Sequence, residues 1–423
     1  MNDSSPKLPT AAEVIVVGGG IAGIAAAWFL QRAGIEVAVC EKGVVAGEQS
    51  SRNWGWCRQM GRDQAELPIV IESLRLWQEI ADDVDTDIGF RRSGSLYLCE
   101  SDRDLANYDH FMNFAPDYGL DTRRLHRKQL EAVFPHCPPR WRSALHTPDD
   151  ARAEPSLAVP AMARTLRARG VPIIENCAVN GIDTQNGRVS SVATEHGDIE
   201  TSTVLIAAGA WSTFLLKSCG IRLPQLTVKA SVARTAAMPS IYDGNASGSE
   251  VSFRRRLDGG YTIAIKGHLE ILPSPAHLAF ARDFLPLLRT SLGTLSLRPP
   301  GLVVDGNFSR HRSLDPQPRD KVVARIKALL ADRVPAFAGV ELAESWAGMI
   351  DALPDVVPVL DRAANLDGLW ISTGFSGHGF GIGPAAGRVM ADLIQGNSAG
   401  HDLQRFRLSR FSDGSKLELG PAI

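Results

Sequence analysis

A chain of 423 residues with 44% hydrophobic and 22% charged side chains is long enough for two or three domains with sizeable cores. Its formal charge of -2 gives no electrostatic reason to expect nucleic acid or an anionic membrane as partner. Six cysteines without paired spacing argue against a metal site or a disulfide framework and suit a reducing, cytoplasmic setting.

Met1 to Ala12 reads as a loose polar tail. The apolar run from Val14 to Leu30 imitates a signal peptide or short span. However, Glu13 precedes it, no basic region leads it, and its glycines have another purpose. No other segment is long enough to span a membrane. A β-branched strand, Val14 to Val17, breaks into Gly18-Gly19-Gly20-Ile21-Ala22-Gly23, and Glu41 follows a second apolar strand. This is the spacing of a dinucleotide-binding turn. Gly18 permits the tight turn, Gly20 lets backbone approach a pyrophosphate, and Gly23 lets the helix pack on the strand. Ile21 and Ala22 open that helix, whose free N–H groups and dipole favour an anion. Glu41 can accept from ribose hydroxyls and repels a 2′-phosphate, which disfavours NADP. The fingerprint alone does not separate FAD from NAD.

A Gly/Ser/Arg/Asn/Trp loop follows from Val44 to about Gln64, and Ile71, Leu74, Trp77 and Ile80 predict a helix over Leu67–Ala81. Phe90–Glu100 reads as strand, Leu157–Arg169 as helix, and Val171–Ile174 as strand. Turn signals at Gln185-Asn186-Gly187 and Glu195 to Asp198 mark hairpins leading to the buried strand Thr203–Ala208. Between about Leu226 and Phe308 the pattern is strand-like, around Val228–Thr235, Glu250–Arg255 and Gly260–Ile265, with a helix at Ala276–Leu288. The triplet Arg254-Arg255-Arg256 reads as a solvated face. Leu369–Thr373 is a strand, and Gly374 to Gly383 packs five glycines into ten positions. Pro384 then takes the first place of a helix reaching about Ile394.

Three stretches resemble the FAD-dependent superfamily of D-amino acid oxidase, glycine oxidase and sarcosine oxidase. They are Thr203–Ser212 (TVLIAAGAWS), Trp346–Leu360 (WAGMIDALPDVVPVL) and Ser376–Arg388 (SGHGFGIGPAAGR), in that order behind the fingerprint. The resemblance implies an α/β fold. A discontinuous Rossmann-like FAD-binding domain (13–89, 146–220 and 340–400) would be interrupted by an α+β, strand-rich substrate domain (90–145 and 221–339). It also implies FAD contacts from Lys42 beside Glu41, from Ala208, Gly209 and Trp211, and from the Val179 backbone to adenine. Ser50, Ser51, Arg52, Asn53, Gly55 and Trp56 would wrap pyrophosphate and ring. Gly377, His378, Gly379, Phe380, Gly381 and Ile382 would meet the flavin edge, where a helix dipole stabilises negative charge. Covalent attachment in some members uses a His in the first loop or a Cys near the W-A-G segment. Here Arg52-Asn53 and Gly348 stand there, so FAD is expected to be non-covalent.

The implied reaction takes a hydride from the carbon beside an amine, and the imine then hydrolyses. A small-molecule amine or amino acid is the substrate, and O2 or an electron-acceptor partner takes the electrons. A carboxylate substrate calls for an arginine, often found two residues after W-A-G, but Ile350 occupies that place. Arg58, Arg62 and Arg312 are candidates, with Arg58 and Arg312 preferred. His378 is placed to meet substrate or ring, and Lys266 resembles the lysine with which sarcosine oxidases promote oxygen reduction. Alternatives are a flavoprotein subunit of a multi-component dehydrogenase, an NAD-dependent dehydrogenase, and a protein keeping FAD for structure. The sequence does not fix oligomeric state.

Overall fold

The computed structural model describes residues 8–271, 279–291, 295–297 and 311–420. Its first sheet has six strands in the order Val359–Arg362, Leu369–Thr373, Thr203–Ile206, Val14–Val17, Val37–Cys40 and Ile173–Ile174. All neighbours are parallel except the antiparallel edge strand Val359–Arg362. Val14–Val17 is buried throughout, as a strand covered on both faces must be, which is why it reads as an unbroken β-branched run. Gly18 has φ +115° and lies at the carboxyl end of this central strand, where parallel sheets bind ligands. A Cβ there would stand 2.4 Å from Ala207 O, so no other residue fits without displacing the neighbouring strand end.

The helix Ile21–Arg32 is rich in alanine, and the C-terminal helix Gly379–Ile394 brings two glycines against it. Added Cβ atoms would lie 2.4 Å from Ile21 Cγ1 at Gly383 and 2.5 Å from the Ala25 carbonyl carbon at Gly387. Small residues on both helices allow their backbones, and so their N-terminal ends, to come together.

That C-terminal helix begins at Gly379, five residues before the expected start at Pro384. Proline inside a helix frees the carbonyl four residues earlier. Here that carbonyl, Phe380 O, accepts from Trp77 Nε1 at 3.2 Å, and Gly381 O accepts from Ser73 Oγ at 2.7 Å. The helix Leu67–Asp83, on which both donors lie, lets the glycine-rich first turn form.

The second sheet has ten strands. Nine run in the order Leu295–Leu297, Leu269–Ile271, Leu226–Thr235, Tyr261–Ile265, Val251–Arg255, Asn245–Ser247, Ser95–Cys99, Ser143–Thr147 and Arg123–His126. The tenth, Leu342–Ala352, pairs antiparallel with Leu226–Thr235 from Leu226↔Ala352 onward. The W-A-G strand is therefore a member of the large sheet, and the chain rejoins the first sheet at Val359. The fold is mixed α/β, a Rossmann-like sheet interrupted by strand-rich segments.

Three further expectations are corrected. The tail is anchored at its end, where Ala12 N donates to Glu200 O at 3.0 Å and Glu200 N to Thr10 O at 3.0 Å. Arg254 is fully buried rather than solvated, because Glu154 at the start of the helix Pro155–Ala168 pairs with it at 2.8 Å. The helix expected at Ala276–Leu288 is seen as Leu285–Ser291, and residues 276–278 lie outside the described residues.

Candidate active site

One cavity of about 320 Å³ runs from the fingerprint turn to the strand end at Ile265–Leu269. At its first end stand Gly18, Gly20, Ile21 and Ala22. Gly23 is packing behind them, since a Cβ there would meet Gly18 O at 2.0 Å. Glu41 Oε2 accepts from Gly19 N at 2.6 Å and Oε1 from Gly43 N at 2.7 Å, which fixes the carboxylate at the strand end. Burial raises the Glu41 carboxyl above its usual range, against the pull of these two N–H donors. Ser50 Oγ accepts from Ile21 N at 2.8 Å and so meets the helix start.

Ala208, Gly209, Trp211 and Val179 border the same stretch. Lys42 lies 4.2 Å above the Trp211 ring and donates to Glu48 Oε1 at 2.6 Å, while Trp211 Nε1 donates to the same carboxylate at 3.1 Å. Sequence reading missed Glu48 as the group that aligns these two residues.

Four positions of the first loop are engaged by protein, although Arg52 and Asn53 also border the cavity. Ser51 faces a separate polar hollow and donates to Glu48 O at 3.3 Å. Arg52 donates to Asp315 Oδ1 at 2.6 Å and Ala347 O at 3.1 Å, so its fork is held by protein, although Arg52 borders the cavity beside Gly348. Asn53 spends its amide on its own turn, accepting from Gly55 N at 2.8 Å and donating to Ser50 O at 3.0 Å. The space at Gly55 is filled by protein, with Ala153 O at 2.3 Å and Arg254 Cζ at 3.0 Å from a would-be Cβ. Trp56 borders the cavity, and Gly381 approaches it closely, 3.1 Å from Trp56 O by the same construction.

Gly377, His378, Gly379, Phe380, Gly381 and Ile382 bring the unpaired N–H groups of a helix start to the cavity wall. His378 Nε2 is 2.6 Å from Glu66 Oε1. Glu66 is fully buried and absent from the sequence reading. Burial opposes its charge, but His378 and then Arg62 outweigh that and hold the carboxyl below its usual range. Asp351, also missed, accepts from Gly374 N at 3.0 Å and Gln225 Nε2 at 3.2 Å, tying the W-A-G strand to the terminal loop.

Of the three arginine candidates, Arg58 and Arg62 line the cavity. Arg312 does not: its guanidinium forms an ion pair with Glu195, and its Nη1 donates to Lys42 O at 3.1 Å. Arg58 Nη1 donates to Met60 O and Tyr97 Oη, leaving the Nε–Nη2 edge of the fork without a protein acceptor among the described residues. Lys266 exposes its side chain to the cavity, and crowding by the walls first, then Arg58, pulls its ammonium down to about 8. His268, two residues on, also lines the cavity, and burial lowers its imidazole below the usual range.

A family model described as DAO, FAD dependent oxidoreductase, matches residues 13–393. The chain belongs to this family. This DAO-family oxidoreductase is 25% identical over 398 residues to a glycine oxidase of Pseudomonas aeruginosa, covering 90% of this chain and 94% of that one. It is 26% identical over 414 residues to sarcosine oxidase subunit beta of Rhizobium meliloti, covering 96% and 90%. The structure of L-amino acid deaminase from Proteus myxofaciens in complex with anthranilate superposes with TM-score 0.91 at 26% identity, covering 96% of this chain and 95% of that one.

The residues present fit the FAD on which the family depends. Two helix starts with free N–H groups face one cavity, and side chains are absent where a flat dinucleotide would come closest, at Gly20, Gly379 and Gly381. Among the described residues no helix is long and apolar enough to cross a membrane.

Proposed function

We propose that this oxidoreductase takes a hydride from the carbon bonded to nitrogen in a D-, cyclic or N-substituted amino acid, giving an imine that hydrolyses. The observation that carries this reading is the open fork of Arg58, which lines the same cavity as Lys266, His378 and the glycine-rich helix start. A carboxylate pairs with such an edge in a two-pronged hydrogen bond. When bound, the flavin is the hydride acceptor.

The chain's own residues supply orientation and charge. Arg58 fixes the carboxylate, and Trp56, within 5.7 Å of its guanidinium, walls the site. The positive charge of Arg58, Arg62 and Lys266 disfavours an ammonium ion nearby and so selects the neutral amine, whose lone pair assists hydride loss. Glu66 orients His378 along the cavity wall.

In this reading segments 13–89, 146–220 and 340–400 hold the cofactor non-covalently, and segments 90–145 and 221–339 hold the substrate. The enzyme works in the cytoplasm. Oxygen is the electron acceptor, received beside Lys266. Similarity to sarcosine oxidase subunit beta favours a second reading, in which the electrons pass to a partner protein.

The test is an absorption spectrum of the purified chain, followed anaerobically as D-, cyclic and N-alkyl amino acids are added. Flavin bands that bleach with one class support the proposal, and bands that bleach with none overturn it. Oxygen uptake by the isolated chain separates the two acceptors.

A further inference from the structure

His378 stands where the terminal glycine loop becomes the C-terminal helix, and it lines the cavity together with Arg58, Arg62 and Lys266. Its Nε2 lies 2.6 Å from Oε1 of the fully buried Glu66. Glu66 immediately precedes the helix Leu67–Asp83, whose dipole favours negative charge there. Burial opposes that charge, but His378 and then Arg62 outweigh it and hold the carboxyl below its usual range. An ionised carboxylate only accepts, so Nε2 carries the hydrogen, and in the neutral ring Nδ1 keeps the lone pair. Among the described residues nothing bonds to Nδ1, and the side chain keeps 11% of its surface exposed. The other charged groups around the pair are Asp63 beside Glu66 and Asp351 on the W-A-G strand. Asp351 is already engaged by Gly374 N and Gln225 Nε2.

Resting on the amine-oxidation reading above, we infer that His378 is the base that takes the proton from the substrate ammonium, with Glu66 as its positioning residue. An amine is largely an ammonium ion in neutral water, whereas hydride loss draws on the nitrogen lone pair. The cationic cavity favours the neutral amine, and the proton that the substrate sheds needs an acceptor. One N–H bond of the ammonium breaks and leaves its electron pair on nitrogen, while a new N–H bond forms at Nδ1. The positive charge passes to an imidazolium that Glu66 neutralises, whereas Arg58, Arg62 and Lys266 disfavour it on the substrate. The carboxylate also fixes which ring nitrogen is free, as it does wherever an acid orients a histidine base.

The experiment follows anaerobic bleaching of the holoenzyme flavin by D-alanine, proline and sarcosine, from about pH 6 to about pH 10. His378→Asn is expected to slow bleaching about 100-fold at pH 7, and by less than about tenfold at pH 10, where solution supplies the free amine. Glu66→Gln is expected to slow it about tenfold at pH 7 and to move the acid limb of the profile down by about one pH unit, because the imidazolium loses its counter-charge. Slowing by the same factor at every pH is a structural loss and overturns the inference, as does a profile that neither variant alters. Nitrogen NMR of the holoenzyme gives a readout that needs no turnover, with the His378 signals assigned by their absence in His378→Asn. The neutral ring is expected to carry its hydrogen on Nε2, and hydrogen on Nδ1 overturns the inference. Should His378→Asn not fold, the Glu66→Gln profile still decides.

The two readings fail separately. Bleaching of the wild type with unaltered variant profiles overturns the base and leaves amine oxidation standing. No bleaching of the wild type by any of the three amines overturns amine oxidation, and the base falls with it.

Discussion

Replacing Arg254 by methionine removes one half of a fully enclosed ion pair. Arg254 Nη1 lies 2.8 Å from Glu154 Oε1 and Nη2 3.2 Å from Oε2, with Thr262 Oγ1 a further acceptor at 3.2 Å. Removing one partner of such a pair costs about 3–5 kcal/mol, because the other charge stays buried. Arg256 at 3.5 Å and the Leu257 N–H at 2.8 Å still serve Glu154, so the low end, about 3 kcal/mol, applies here. For 423 residues unfolding as one unit the entropy is roughly 0.9 kcal/mol/K, so Tm should fall by roughly 3–4 °C at pH 8. The pH dependence has a definite sign. In the wild type, burial opposes the Glu154 charge but Arg254 outweighs it, so the carboxyl sits below its usual range. Without Arg254, burial dominates, the carboxyl rises, and protonation relieves the cost, so the Tm gap narrows from pH 8 toward pH 5. Replacing both partners, E154L with R254M, should recover at least half the loss, since no uncompensated charge remains. Scanning calorimetry at three pH values tests this. An R254M Tm within 1 °C of wild type (roughly a third of the expected shift or less), or a double variant no better than the single, would refute the reasoning.

Glu41→Ala removes the acceptor for Gly19 N and Gly43 N, so the apoprotein should bind FAD at least tenfold more weakly while kcat at saturating FAD stays near wild type; fluorescence titration reads this. Gly387→Ala places a Cβ 2.5 Å from the Ala25 backbone, so the two helices must separate. Stability should fall by at least about 2 kcal/mol, and FAD should be lost on gel filtration, because both helices start at the cavity. Burial pushes the Asp150 carboxyl up to about 6, so the folded state binds that proton more tightly than the unfolded chain does. Stability from this group is therefore present at low pH and lost between about pH 4 and 6, by roughly 3 kcal/mol. Asp150→Asn should then raise Tm relative to wild type at pH 7.5, and the gain should vanish near pH 4.

Sequence alone determined the features that a few consecutive residues control. The strand, glycine turn, helix and acid from Val14 to Glu41 follow from β-branching, freedom at positive φ and the spacing of one βαβ unit. The terminal glycine loop was legible for the same reason, because no side chains means a close approach by something flat. Partnerships across the chain were decided only by tertiary structure. Arg312 and Arg62 look alike in sequence, but the first pairs with Glu195 at the surface, while the second is buried at the cavity beside Glu66. Arg254 is buried because Glu154, 100 residues away, neutralises it. The C-terminal helix starts at Gly379 because Trp77 and Ser73, some 300 residues earlier, accept the hydrogen-bonding duty that Pro384 cannot perform. Backbone preference is a local property, whereas the cost of burying a charge or a carbonyl depends on which distant group arrives to pair with it.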